Sequence, residues 1–300
     1  MLEKLEDVTQ LSARVVRILG QNGSPFTLQG TNCYLLGTGP KRVLVDTGSG
    51  LRSFLVLLKE QLQDHELDAI IITHHHIDHI GGVKSILKGI NNNNNNDVTI
   101  YIKDVGPVWR EHRKNVQYCS LHDGQVIRCG GVALEVWMSP GHTSDSICLW
   151  MPEERALFSG DSVLGEGKSP VLEDLHAYFR SMHTLLAKLE SYEQPVVIYP
   201  GHGQVIRDGV AALKLAISKR EARNAEIVQL LRKKSSSGSG LTVEQITNEV
   251  YRKVPPELRI AAIGTVKRHL TYLERMQVVK RRLNEENIGI YELLDLTNSL

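Results

Sequence analysis

One stretch constrains the fold more than any other: Ile70-Ile71-Ile72-Thr73-His74-His75-His76-Ile77-Asp78-His79, followed by Ile80-Gly81-Gly82. An apolar run bounded by Asp68 and His74 reads as a strand buried on both faces, the pattern of a parallel strand inside an α/β sheet. Directly behind it come four histidines and one aspartate within six positions. Imidazole and carboxylate are the ligands that borderline divalent ions such as zinc prefer. In a tight loop the side chains of His74 and His76, two apart, can converge on one ion while Asp78 and His79 turn toward another. Gly81 and Gly82 let the backbone turn closely into the next helix. His75 and Ile77, interleaved with the ligands, are expected to point away from the ions.

Three further apolar runs end the same way. "LEVWMSP" leads into Gly141-His142-Thr143, "RALFSG" into Asp161, and "VVIYP" into Gly201-His202-Gly203. Each places a metal-type ligand just past the C-terminal end of a strand, the edge at which ligands gather in open α/β sheets. One such residue would be read as structural; four clusters in one chain are hard to explain by packing. The count gives one ion three imidazoles (His74, His76, His142) and a second ion one carboxylate and two imidazoles (Asp78, His79, His202). Asp161 can bridge them. Two ions about 3.5–4 Å apart form a clamp for hydrolysis, and no serine sits in a GxSxG elbow. A noncatalytic structural metal site fits poorly, because structural zinc sites are usually closed and mononuclear.

Other strands are expected at "YLLG", "RVLVDTG", "VTIYIK" and "ICLWM", and helices at about 51–63, 80–90 and 171–191. Many strands with few helices between them suggest layered sheets flanked by helices. Asn91–Asn96 reads as a loop insertion. Beyond 210 the pattern changes, giving expected divisions of 1–210, 211–240 and 241–300. A helix from Gly209 to Leu231 leads into "KKSSSGSG", which has linker composition. Thr242 and Gln245 then have capping-box spacing and open a helix through about Val254. A longer helix follows Pro255-Pro256, and "QVVKRRL" and "IGIYELL" read as a hairpin. Helix, helix, hairpin is the order of a small winged-helix module. Residues 211–300 carry 16 Lys/Arg against 10 Asp/Glu, and the rest of the chain 19 against 24, so the C-terminal third is basic within a chain of net charge +1. That suggests an anionic partner, with Lys267, Arg268, Arg275, Lys280, Arg281 and Arg282 as candidate phosphate contacts.

The motifs "THHHIDH", "PGHT", "SGD" and "PGHG", in that order and preceded by "VLVDTG", resemble those of the metallo-β-lactamase superfamily. The resemblance implies an αββα sandwich for the α/β part, zinc on the seven ligands named above, and Asp46 behind the ligands rather than among them. "TLQGTNCYLLGTGPKRVLVDTG", "FSGDSVLGEG" and "YPGHGQVI" with the C-terminal module resemble a branch that, in animals, comprises mitochondrial endoribonucleases. That implies two Zn²⁺ per chain, single-stranded RNA as substrate, a bridging hydroxide attacking a phosphodiester with Asp78 orienting it, and the mitochondrial matrix. A homodimer is a further expected partnership. The N-terminus shows no typical transit or signal pattern, so cytosol is the alternative compartment, and no apolar run approaches the roughly 20 residues of a membrane span. Two departures from the family pattern border the substrate side: His75 and Ile77 between the ligands, and Ser144-Asp145-Ser146 after "PGHT". The alternative activity is thioester hydrolysis, of the glyoxalase II or fungal polyketide-releasing kind, which uses the same ligand motifs. β-Lactam hydrolysis does not follow from the fold.

Overall fold

The computed structural model describes residues 3–90, 98–103, 118–165, 173–235, 240–284 and 286–294. Two sheets lie face to face. The first contains β1 (Val8–Gln10), β2 (Val15–Leu19), β3 (Asn32–Leu36), β4 (Lys41–Val45), β5 (Glu66–Ile71), β6 (Thr99–Ile102) and β7 (Tyr118–Ser120), in sequence order. The second contains β8 (Val126–Cys129), β9 (Val132–Met138), β10 (Ile147–Met151), β11 (Ala156–Gly160) and β12 (Val197–Pro200), also in order. β5 pairs parallel with β4 and β6, as its continuous apolar run predicts. Alternate side chains of the facing strands, among them Leu36, Val43, Val45 and Ile71 against Leu134, Val136, Leu149 and Phe158, form the core between the sheets.

The outer face of each sheet is covered by helices. α1 (Arg52–Leu62), the single turn α2 (Ile77–Ile80) and α3 (Val83–Ile90) lie on the first sheet, where Phe54, Leu58, Val83 and Ile86 meet Leu35, Leu44, Ile70 and Ile72. α4 (Leu175–Glu190) and α5 (Gly209–Ser235) lie on the second, with Met182, Leu185, Leu213 and Ile217 against Trp150, Leu157 and Ile198. The architecture is therefore αββα. α4 begins at Asp174, whose carboxylate accepts the backbone N–H groups of His176 and Ala177. The expected start at 171 lies outside the described residues, as does the Asn91–Asn96 run.

The C-terminal module is a winged helix: β13 (Leu241–Thr242), α6 (Val243–Val250), α7 (Arg259–Arg275), β14 (Val279–Leu283) and β15 (Gly289–Leu293), with sheet order β13-β15-β14. The capping box is formed: Thr242 Oγ1 accepts from the Gln245 backbone, and Gln245 Oε1 accepts from the Thr242 backbone. α6 ends at Val250, four residues before the expected Val254, because Tyr251 leaves helical geometry. α5 belongs to two cores. Its first half packs on the second sheet, while Ile227 and Leu231 join Ile246, Val266 and Leu270 of the winged helix.

Candidate metal centre

All seven predicted ligands come together at the C-terminal edge between the sheets. His74 Nε2 and His142 Nε2 lie 2.9 and 3.0 Å from His76 Nδ1. Asp78 Oδ2 lies 3.4 Å from His79 Nε2 and 3.2 Å from His202 Nε2, and those two nitrogens are 3.3 Å apart. Asp161 stands between the groups, with Oδ1 3.4 Å from His79 and Oδ2 3.6 Å from His142 and 3.5 Å from His202. Ligands about 2.0–2.1 Å from a tetrahedral ion are separated by roughly 3.3–3.4 Å. The second group matches that spacing closely and the first is slightly tighter.

Two observations independent of the spacing test whether cations fit. The ring tautomers are fixed from behind: His79 Nδ1 donates to Asp46 Oδ2 at 2.8 Å, and His202 Nδ1 donates to the Gly30 carbonyl at 3.1 Å. In the neutral rings both Nε2 lone pairs therefore point at one another, which is unfavourable without a cation between them. Asp161 Oδ1 is buried and makes no hydrogen bond, although buried carboxylate oxygens are normally satisfied. The residues fit a pair of divalent cations.

The electrostatics agree. Burial opposes charge on His202, yet Asp161 and Asp78 push its pKa up to about 9. His79 is likewise raised against burial by Asp161 and Asp46. A bound cation would take the place of those protons. Burial, with His142 and His75 nearby, lowers His76 to about 4, so it is a neutral donor at neutral pH. Asp78 and Asp161 are both held below the usual carboxylate range against the effect of burial, chiefly by His202 and His79.

Asp46 organises the layer behind the ligands. It adopts φ +59° and accepts from the Thr73 backbone, the Thr73 hydroxyl and His79, each at 2.8 Å. Gly82 is required by close approach, since a Cβ there would collide with the Thr47 carbonyl. The reading of the motifs missed the segment Gly30–Asn32. Asn32 Nδ2 donates to the carbonyls of Pro200 and Gly203, both at 2.9 Å, and Thr31 Oγ1 donates to the Asp78 carbonyl at 3.0 Å. This segment ties the loop of His202 to the loop of Asp78. The signal was the polar Thr31-Asn32 pair directly before an apolar strand.

His75 is outside the ligand groups, as expected. Its Nδ1 lies 2.7 Å from Asp145 Oδ1, so two departures from the family pattern meet in space. Ile77 is 65% exposed. Of the basic candidates, Lys267, Lys280, Arg281 and Arg282 are exposed and Arg268 is half-buried. Arg275 pairs with Asp174 at 2.8 Å, while Lys280 and Arg282 lie 3.8 and 2.6 Å from Glu292. The Asp174 backbone in turn donates to the Gly141 carbonyl, which brings α7 beside the loop that carries His142.

A metallo-beta-lactamase superfamily model matches residues 26–202, and a beta-lactamase associated winged helix domain model matches 242–286. Over 93% of its length the chain is 39% identical to 90% of a beta-lactamase-like protein 2 homolog of Caenorhabditis elegans. It is 35% identical to an atrochrysone carboxyl ACP thioesterase of Aspergillus terreus, over 84% of this chain and 76% of that one. A solved beta-lactamase domain protein from Burkholderia ambifaria shares the fold with TM-score 0.79 at 18% identity, over 96% and 93% of the two chains.

Proposed function

The chain belongs to the metallo-β-lactamase superfamily, and from that premise we propose that it is a zinc-dependent endoribonuclease hydrolysing phosphodiester bonds of single-stranded RNA. One observation carries the reading: the basic helix α7 docks, through Arg275 and Asp174, one hydrogen bond from the His142 loop. This brings Arg275 beside the loop that carries His142, and phosphate contacts supply most nonspecific nucleic-acid affinity. Similarity to beta-lactamase-like protein 2 homologs over nearly the whole chain, winged helix included, supports it.

His74, His76 and His142 would hold one Zn²⁺ and Asp78, His79 and His202 the other, with Asp161 between them. When bound, such ions acidify water and neutralise charge developing on the phosphoryl oxygens. The chain's own groups do the rest. Asp78 is the more exposed of the two carboxylates, 20% against 7% for Asp161, and so is placed to orient the incoming water. Asp46 and Gly30 keep Nδ1 of His79 and His202 protonated, so each ring presents its Nε2 lone pair. Water supplies the oxygen that bonds to phosphorus while the bond to the leaving ribose oxygen breaks. Burial raises the Cys33 thiol well above its ordinary range and Cys148 to about 11, which disfavours the nucleophilic thiolate at both.

The second reading, thioester hydrolysis, is favoured by the thioesterase relatives. Purified protein is to be given single-stranded RNA and, in parallel, S-lactoylglutathione, before and after chelation and zinc restoration. Zinc-dependent internal cleavage of RNA is expected; turnover of the thioester alone would replace the proposal. The compartment proposed is the mitochondrial matrix, testable by fractionation, and a homodimer is testable by sedimentation.

A further inference from the structure

Of the seven ligands, His76 and Asp78 are partly exposed and the other five are buried, so the metal centre opens to solvent beside those two. His75 stands at that opening. Its ring centroid lies 5.1 Å from that of His76, and its side chain is 39% exposed. Nδ1 is held 2.7 Å from Asp145 Oδ1, which turns Nε2, on the far side of the ring, away from the carboxylate. Asp145 is buried, and its Oδ2 makes no hydrogen bond. Buried carboxylate oxygens are normally satisfied, so packing alone does not account for this one. The turn that carries it is tightly built. Ser146 Oγ accepts from the Thr143 backbone at 3.1 Å, and the Ile147 backbone donates to the Thr73 carbonyl at 3.0 Å, which fastens the turn beside His74. Asp145 thus holds His75 by Nδ1 as Asp46 holds His79. The difference is that the far nitrogen of His75 meets no ligand group and is left for whatever occupies the mouth of the site.

We propose that His75, positioned by Asp145, hydrogen-bonds the 2′-hydroxyl of the ribose at the scissile phosphate and so sets a preference for RNA over DNA; the inference rests on the endoribonuclease reading. The 2′-carbon adjoins the carbon that bears the 3′-phosphate, so a polar group at the mouth of a site holding that phosphate is placed to meet the hydroxyl. That hydroxyl both donates and accepts, and it is the group that distinguishes the two nucleic acids. It can therefore pair with an imidazole nitrogen of either kind. A phosphate oxygen is the poorer partner, because the Asp145 carboxylate behind the ring repels negative charge. Exposure sets the size of the effect. A site built to enclose a substrate hydroxyl rejects the analogue lacking it by about 10⁴–10⁵. Water reaches the half-exposed His75, so the preference it supplies is about tenfold, the scale of one ordinary hydrogen bond.

The test compares single-stranded RNA and DNA of one sequence, each fluorescein-labelled, on zinc-loaded protein in excess over substrate. DNA is also measured as a competitive inhibitor of RNA cleavage, which reads its affinity where its cleavage is slow. The unmodified protein is expected to favour RNA in both measurements. His75→Phe keeps a ring of similar size without its nitrogens, and is expected to lower the RNA-to-DNA ratio about tenfold with zinc content unchanged. His75→Gln, whose amide can still meet a hydroxyl, is expected to keep part of the ratio. A merely structural role for His75 would slow both substrates alike and leave the ratio where it was. Thermal melting checks folding. If His75→Phe does not fold or loses zinc, Asp145→Asn decides, since it disturbs the ring from behind and is expected to lower the ratio about threefold. Equal handling of RNA and DNA by the unmodified protein, or a ratio unmoved in the folded variants, would overturn the role of His75 and leave RNA hydrolysis standing. An unmodified protein that cuts neither nucleic acid would overturn the endoribonuclease reading and this inference with it. Loss in the variants confined to S-lactoylglutathione turnover would overturn it in favour of a thioester contact.

Discussion

Asp161 is the residue on which both ligand groups depend, since its two oxygens lie 3.4–3.6 Å from His79, His142 and His202. Asp161→Ala is expected to remove hydrolysis and to lower bound zinc, by elemental analysis, from two per chain to one or none. A variant that kept both ions would end the bridging role. Asp46 is buried behind the ligands and fixes the tautomer of His79. Asp46→Asn is expected to weaken zinc affinity about 10- to 100-fold, the usual effect of disturbing a ligand's supporting hydrogen bond. The measurement is competition with a chelator of known affinity. Retained affinity in this variant would mean that Thr73 and the packing alone orient the ring.

At the scale of elements, the site is made by turns at strand ends rather than by the strands. β5, β9, β11 and β12 each stop just before a ligand loop, and the ligands converge because sheet packing brings those four ends together. The winged helix depends on local chemistry of a different kind. The Thr242–Gln245 capping box satisfies backbone N–H groups that the first turn of α6 leaves open. Thr242→Ala is expected to cost about 1 kcal/mol, read as a lower urea midpoint for the C-terminal module, with metal content unchanged. α6 packs Val243 and Ile246 against α7 and the far half of α5, so the loss reaches the whole module.

Across the whole molecule, α5 couples the sandwich to the winged helix. Lys280 and Arg282 already share Glu292, which leaves Lys267 and Arg281 as the better phosphate contacts among the exposed candidates. The Lys267→Ala/Arg281→Ala double variant is expected to bind RNA more weakly and to reduce the slope of log affinity against log salt by about 1.4, for two contacts on a single strand. An unchanged slope would remove α7 and the wing from the binding surface. His269 is buried against Asn224 of α5, with Nδ1 and Oδ1 2.7 Å apart. Burial, with Arg220 and Arg223 beside it, lowers its pKa to about 3. The unfolded imidazole takes its proton near pH 6.5, so below that pH the unfolded state holds more protons and stability falls as pH drops toward 3. Urea unfolding at pH 7 and pH 5 is expected to show this loss, with a smaller difference in His269→Gln; equal pH dependence in the two proteins would clear His269.

The strand that ends at Ile71 and the seven ligands were legible in the sequence because they are local: an apolar run sets a buried strand, and dense ligands have few other uses. The helix–helix–hairpin order after Gly240 was legible for the same reason, from a cap, a proline pair and helical spacing. β1, β2, β7 and β8 were not read from the pattern. β1 and β7 span three residues each, and β2 interrupts its apolar side chains with Arg17, which is buried by its neighbours. The reach of Asn32 to the His202 loop, the meeting of His75 with Asp145, and the sharing of α5 between two cores join residues 70 to 171 positions apart or cores in different domains. No local periodicity encodes such distances. They are decided when the sheets close on each other and bring the strand ends together, the step at which scattered ligands become one site.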